Sequence, residues 1–404
     1  MIYFDNAATT GKKPQSVIDA VNYSLKNLCA NPGRSGHLLS QKAALAVYES
    51  RKKTSDFFGS SGAETVVFTA NCTTAINCVL KGVLSAGDHI VISDLEHNAV
   101  MRPLKSMNID FSIASVSLNS DEETLENFKK AIKHNTKMIF CTAASNVIGK
   151  ILPIKEIGNL CKQKGLLFGV DAAQAAGVLS INMVDMNIDY LCIAAHKGLY
   201  CPMGLGILIA QAPINRTIIE GGTGTESINL IQPDTMPEML ESGTINLPAI
   251  ASVNAGIDFV EKHKACLLNY ENNLVKKLYN SLQGSDIVFY TNPNMNGYAP
   301  VICFNIDNIA SEHAADILSK NGFALRAGLH CAPTAHKKIG TLKQGTVRFS
   351  PSAFNNEKEV DMLVYFLKKF KKYKKRYWLD RNIMLIYIRK FIDILFTLWY
   401  NMSP

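Results

Sequence analysis

Through the first 250 residues, short and wholly apolar runs alternate with longer stretches of helical period. Val66-Val67-Phe68-Thr69, His89-Ile90-Val91-Ile92, Met138-Ile139-Phe140-Cys141 and Leu166-Leu167-Phe168-Gly169-Val170 read as strands buried on both faces. Between them, Thr73 to Leu84, Glu122 to Lys133 and Ile154 to Lys164 carry apolar residues at helical spacing. Ser120 with Glu123 forms a capping-box pattern for the second of these, and Gly165 stops the third. Strands separated by helices predict right-handed βαβ crossovers, hence an α/β fold on a mostly parallel sheet. Such sheets bind ligands beyond the carboxyl ends of their strands, where Asp171 and the His196-Lys197 pair fall.

The texture changes after about residue 250. A helical stretch from Ala249 to Leu282 leads into a Gly/Asn/Pro-rich turn region around Thr291 to Ala299. Beyond it come a strand at Val301 to Phe304, a helix near Glu312 to Ser319 and a strand near Val347. The division expected is a large domain over residues 15–250 and a smaller α+β domain made of 1–14 with 251–375. Residues 376–404 are a tail. Within the tail, Ile383 to Tyr400 is apolar but interrupted by Arg389, Lys390 and Asp393, charges that are costly at the centre of a membrane span. A helix packed on the protein is the first reading of it, and a peripheral membrane-surface helix the second.

Composition narrows the class. A hydrophobic content of 47% with 19% charged residues excludes a disordered chain. The net charge of +8 owes much to the run Lys368 to Lys375, so it is a local feature, and no nucleic-acid partner is expected. Ten cysteines occur without any Cys-x-x-Cys pair, which speaks against a disulfide framework and against a metal site. No signal peptide is read at Met1 to Asp5, and the expected compartment is the cytoplasm.

The chemistry rests on an ordered set of side chains. Lys197 could form an imine, Asp171 could meet a pyridine nitrogen, and Cys331 could act as a nucleophile. Asn71-Cys72-Thr73-Thr74 lies between a strand and a helix, where amides and hydroxyls suit a phosphate. His97 follows a strand and could lie flat against a ring. Each residue alone has a plainer explanation: Thr73 as a helix cap, His97 and Asp171 as structural polar groups, Lys197 as a solvated lysine. Together they are what a pyridoxal-phosphate site requires, since that cofactor needs an amine, a carboxylate for its ring nitrogen and donors for its phosphate.

On these residues the chain resembles the cysteine desulfurase/selenocysteine lyase group of the class V aminotransferase-like enzymes, which have the fold-type I architecture. The likeness spans about residues 1 to 375 and includes Tyr3-Phe4-Asp5-Asn6-Ala7-Ala8-Thr9 and Arg34-Ser35-Gly36-His37. It implies pyridoxal 5'-phosphate as cofactor, with Thr73, Thr74 and His196 at its phosphate, His97 against its ring, Asp171 at its nitrogen and Lys197 carrying the imine. Asn146 and Gln174 would meet the ring oxygen or substrate. Thr244, within Glu241-Ser242-Gly243-Thr244, would reach the partner subunit's phosphate in a homodimer. Arg326-Ala327-Gly328-Leu329-His330-Cys331-Ala332 resembles the short-loop desulfurases, with Cys331 forming a persulfide that His330 or Arg326 would favour as thiolate. Arg348, in Val347-Arg348-Phe349-Ser350, would grip the carboxylate of L-cysteine. The implied reaction converts L-cysteine to L-alanine and passes sulfur to an acceptor protein or reductant, as in iron–sulfur cluster biogenesis. A selenocysteine lyase, or a class V lyase or epimerase that does not use the cysteine, are the alternatives.

Two positions depart from the family pattern. Ala194 stands where a serine phosphate ligand is usual. Cys201, in Cys201-Pro202-Met203-Gly204, replaces a glycine, a residue better able to take positive φ.

Overall fold

The computed structural model describes residues 1–33, 35–306 and 309–370; Arg34, the end of the basic run and the apolar tail fall outside the described residues. The chain order of strands is β1 (Ile2–Tyr3), β2 (Val66–Thr69), β3 (His89–Ser93), β4 (Asp110–Ala114), β5 (Thr136–Thr142), β6 (Leu167–Asp171), β7 (Tyr190–Ala194) and β8 (Gly206–Ala210). There follow β9 (Ile287–Phe289), β10 (Ile302–Ile306), β11 (Phe323–Ala324), β12 (Arg326–Gly328) and β13 (Thr346–Phe349).

Seven strands form the main sheet in the order β2-β8-β7-β6-β5-β3-β4. The neighbours from β7 to β4 are parallel, and only β8 runs against its two neighbours. The period of two divides the apolar strands between two cores. Val91, Ile139, Val170 and Ile193 face one side, while Ile90, Phe140, Cys192 and Leu208 face the other. Gly169 leaves its place on the second face to the ring of Phe140, whose Cδ2 would lie 2.3 Å from an added Cβ.

The expected helices occur at Cys72–Val83, Asp121–Ala131 and Ile154–Lys164, within two residues of their expected ends. Two of the caps differ in kind. Asn71, not Thr73, caps the first helix, its Oδ1 accepting from Thr74 N at 3.0 Å. Ser120 caps the second by accepting from Glu123 N, but its own N–H donates to Ser117 Oγ at 3.2 Å rather than to the Glu123 side chain, so the box is not completed. The long helix expected from Ala249 is two: Leu247–Ala251, capped by Asn246, and Val253–Ser281. They join at Ser252, whose hydroxyl turns back to the Ala249 carbonyl at 2.7 Å.

The C-terminal part builds a four-stranded antiparallel sheet, β12-β13-β10-β9, over a third core around Phe304, Phe349 and Leu363. The amino terminus belongs to this region. β1 pairs in parallel with β11, Asp5 bridges to Ser350, and Phe4 packs on Phe349 at 4.6 Å. The first residues are thereby carried across to the edge of the main sheet's ligand-binding end. No helix of the described residues is long and apolar enough to cross a membrane.

Candidate active site

At the carboxyl ends of β5, β6 and β7 an open cleft of about 560 Å³ is lined by Cys72, Thr73, His97, Asn146, Asp171, Gln174, Ala194, His196 and Lys197, among others. Asp171 ends β6 and is buried; its Oδ1 accepts from Ala173 N at 2.9 Å, and the Cys72 thiol lies 3.8 Å away. Lys197 sits in the turn after β7. Burial holds its ammonium below the usual lysine range, and the Asp171 carboxylate partly opposes this. A lysine so placed reaches the neutral amine, the form able to attack a carbonyl, more readily than a solvated one.

The turn carrying Lys197 is locked by close backbone approaches. A Cβ on Gly198 would meet the Ala176 carbonyl at 2.1 Å, and one on Gly256 the Leu199 carbonyl at 2.1 Å. The positive φ of this turn falls on Tyr200 (58°), not on Cys201, so the glycine-like conformation expected at Cys201 is taken by its neighbour. Cys201 is buried with its thiol pushed up to about 11, which makes it packing rather than a second reactive thiol.

The amino end of the helix Cys72–Val83 faces the cleft. Thr73 lines it, whereas the Thr74 hydroxyl is bonded to Asn71 Oδ1 at 3.2 Å. His196 presents a buried Nδ1 with no protein partner, and burial lowers the ring to about 4. His97 caps the helix Asn98–Ser106, its Nδ1 accepting from Ala99 N at 3.0 Å, so the remaining proton of the neutral ring is on Nε2. Gln174 donates to the Ala7 carbonyl at 2.9 Å, tying the cleft floor to the amino-terminal segment.

Cys331 lies in the turn after β12; like Arg326 and Arg348 it is not among the residues lining the cleft, but its turn is bonded to the cleft wall at Asn146. It is exposed with φ 57°, directly after His330 at φ 49°. Two bonds pin this backbone: Asn146 Nδ2 donates to the His330 carbonyl and Asn98 N to the Cys331 carbonyl, each at 2.7 Å. Arg326 Nη2 lies 3.9 Å from the thiol sulfur. His330 does not assist as expected. Burial, with Arg348 adding to it, lowers its ring to about 2, so it stays neutral and faces inward toward Arg326 O and His336. Arg348 is fully buried, with Nη2 on Asp5 Oδ1 at 2.7 Å, Nη1 on the Asn146 carbonyl at 3.0 Å, and Nε without a partner.

Thr244 is exposed and is not among the residues lining the cleft of its own chain, although Glu241 beside it is anchored bidentately by Arg51. Three polar groups near the site are given no role by the sequence, although Asp5 stands within the amino-terminal segment that resembles the family. Asp5 partners Arg348, and Lys13, lowered to about 8 by burial, donates to Thr10 Oγ1 and the His196 carbonyl. Glu96 is buried between Ser93 and Thr142 and pushed up to about 8. The tertiary fold buries Glu96 and half-buries Asp5 and Lys13, which residue type alone could not say.

The donor set fits a phosphate-bearing pyridine aldehyde. A helix amino terminus and an unpartnered imidazole nitrogen meet an anion at one side, and a buried carboxylate can hold a ring nitrogen protonated. Comparison with known proteins agrees with this chemistry. The family model for aminotransferase class-V matches residues 2–363. A probable cysteine desulfurase of Pyrococcus abyssi is 30% identical over 92% of this chain and 94% of its own. A cysteine desulfurase of Haloferax volcanii is 27% identical over 90% and 88%. The apo structure of a cysteine desulfurase from Thermococcus onnurineus superimposes with a TM-score of 0.83 at 31% identity, covering 92% of this chain and 94% of that one. The chain therefore belongs to the aminotransferase class-V family, and within it to the cysteine desulfurases.

Proposed function

We propose that this protein is a pyridoxal-phosphate-dependent cysteine desulfurase, which converts L-cysteine to L-alanine and loads the sulfur on Cys331. The observation that carries the reading is a cleft lined by Lys197 and Asp171 whose wall, at Asn146, holds the turn of the exposed Cys331. When bound, the cofactor supplies an electron sink conjugated to the amino acid's α-carbon. Thr73, His196 and the helix amino terminus would hold its phosphate, His97 its ring face, Asp171 its nitrogen, and Lys197 its aldehyde carbon. Thr74 is proposed at the phosphate through reorientation of a hydroxyl now bonded to Asn71.

Arg348 would receive the substrate carboxylate through its unpartnered Nε, with Asp5 and Asn146 fixing the plane of the guanidinium. Asn146 and Gln174 would flank the bound amino acid. Lys197 as free amine takes the α-proton. Cys331 as thiolate, with the Arg326 guanidinium beside it, attacks the substrate sulfur. The S–S bond forms as the carbon–sulfur bond breaks, and the electron pair leaves with the carbon, which is then protonated. The sum is L-cysteine plus enzyme thiol giving L-alanine plus enzyme persulfide, which balances without an oxidant.

Because the Cys331 turn is pinned on two sides, the persulfide stays beside the cleft wall, and an acceptor protein or reductant would collect it there. A homodimer is part of the proposal: Ile228 and Leu230 are fully exposed on the segment that leads to the exposed Thr244, and a second copy would cover them. The ten free thiols suit a reducing cytoplasm. Iron–sulfur cluster biogenesis is one destination for the sulfur.

Borohydride reduction of the cofactor-loaded protein should add the cofactor's mass to the Lys197 peptide alone. A tag on another lysine, or none, would overturn the assignment of Lys197.

A further inference from the structure

Beneath the Cys331 turn lie two histidines for which the proposed reaction has no use. His330 and His336 are buried, their rings nearly parallel at 13° with centroids 5.5 Å apart. His336 Nδ1 is 2.7 Å from Thr341 Oγ1, His336 Nε2 is 3.3 Å from His330 Nδ1, and His330 Nε2 is 3.4 Å from the Arg326 carbonyl. The carbonyl can only accept, so His330 carries its proton on Nε2 and accepts at Nδ1. His336 must then donate from Nε2 and accept at Nδ1 from the Thr341 hydroxyl. One direction of donation satisfies all four groups.

The relay ends on the segment that most needs it. Between Arg326 and Cys331 the backbone takes positive φ at Gly328 (97°), His330 (49°) and Cys331 (57°). A non-glycine residue in that region is strained and persists only where surrounding contacts over-determine it. The bonds from Asn146 and Asn98 hold the two carbonyls of the strained pair, and the relay holds the other end at Arg326, whose guanidinium lies beside the thiol.

We propose that His336 is a positioning residue for Cys331, acting through His330 to hold the Arg326–Cys331 turn and with it the guanidinium beside the thiol. The charged and titratable groups facing the pair are Arg326 and Arg348, both cationic. Burial keeps His330 and His336 neutral near pH 7, lowered to about 2 and about 4, so the hydrogen-bond directions hold throughout the working range. The inference rests on the desulfurase reading only in naming Cys331 as the nucleophile.

The test is therefore made on the thiol, with the full chain and without added cofactor. The rate of iodoacetamide alkylation of Cys331 is followed by peptide mass spectrometry across pH in the wild type, His336→Phe and Thr341→Val. Exposed Cys29 and Cys266 serve as internal references, and buried Cys161 and Cys303 report loss of the fold. The expected result is alkylation of Cys331 at least about fivefold slower at pH 7, since the turn no longer holds the thiol beside the Arg326 guanidinium. The reference cysteines should be unchanged and the buried ones unreactive. A Cys331 profile matching the wild type in either folded variant would overturn the proposal, and Thr341→Val carries the test if the ring substitution does not fold. Cofactor tagging at Lys197 in the same variants separates failure here from failure of the desulfurase reading.

Discussion

At the scale of single residues, the site is a set of polar side chains whose burial exposes them to one another's fields. Arg348 is the clearest case. Its guanidinium is desolvated and held by Asp5 and one backbone carbonyl, with its Nε–H unpartnered. Replacing it by alanine strands the Asp5 carboxylate and removes the only buried cation proposed for the substrate carboxylate. Arg348→Ala should raise KM for L-cysteine about a hundredfold and lower stability by about 2–4 kcal/mol, as loss of one partner of a buried pair does. Steady-state kinetics and urea titration check the two effects separately. The same scale shows what could be read in the sequence. Lys197, Asp171, His97 and Cys331 were legible because each follows an apolar run or a turn of recognisable composition. Asp5, Lys13 and Glu96 were not, since nothing local distinguishes a buried acid or lysine from a solvated one. Tyr200 taking the positive φ expected of Cys201 is likewise a tertiary outcome. Its ring is wedged edge-on against Phe259 and Phe354, at 5.1 and 5.9 Å.

At the scale of elements, the strands that build the cleft were visible as apolar runs, and their helices as periodic ones. The pattern singles out no strand at β8, and β7 enters only through the strand end assigned to His196-Lys197, although both are as apolar as the rest. Runs of five residues flanked by turns carry no period that separates a strand from a buried helical segment. β4 is an edge strand with exposed Asp110 and Ile113, so its pattern is blurred. What no pattern shows is how tightly elements meet. The turn after β6 and the turn bearing Lys197 touch backbone to backbone at Gly177 and Gly198, where any side chain would collide with main chain. Gly198→Ala should therefore displace Lys197. The expected cost is about 1–3 kcal/mol of stability, together with loss of retained cofactor on dialysis. Unchanged visible absorbance after dialysis would show that the turn is more compliant than its contacts imply.

At the scale of the whole molecule, the amino-terminal segment crosses to the C-terminal sheet and returns to the cleft, so that segment and the sheet shape one site together. The division at residues 15–250 and 251–375 remains our proposal for how the chain is organised, with the β1–β11 pairing in its favour. The fold also buries an acid on the long helix. Glu271 is bonded to the Tyr200 hydroxyl and the Ala353 backbone, and burial raises it from 4.5 to about 8. Its native form thus binds a proton that the unfolded chain releases between those values. Stability from this group is full below the unfolded pKa and is lost as pH rises through the folded one. Measured against Glu271→Gln, the wild type should lose relative stability from about pH 5 to about pH 8, and a flat difference would contradict a raised carboxyl.

The central claim is that Cys331 receives sulfur from L-cysteine in this cleft. It is tested most directly by a single turnover of the loaded enzyme with L-cysteine, quantifying alanine and the mass of the Cys331 peptide. The account predicts one alanine per site and one added sulfur on Cys331, with neither the added sulfur nor stoichiometric alanine from Cys331→Ala. Undiminished alanine from that variant, or bound cofactor that yields no alanine from the wild type, would contradict it.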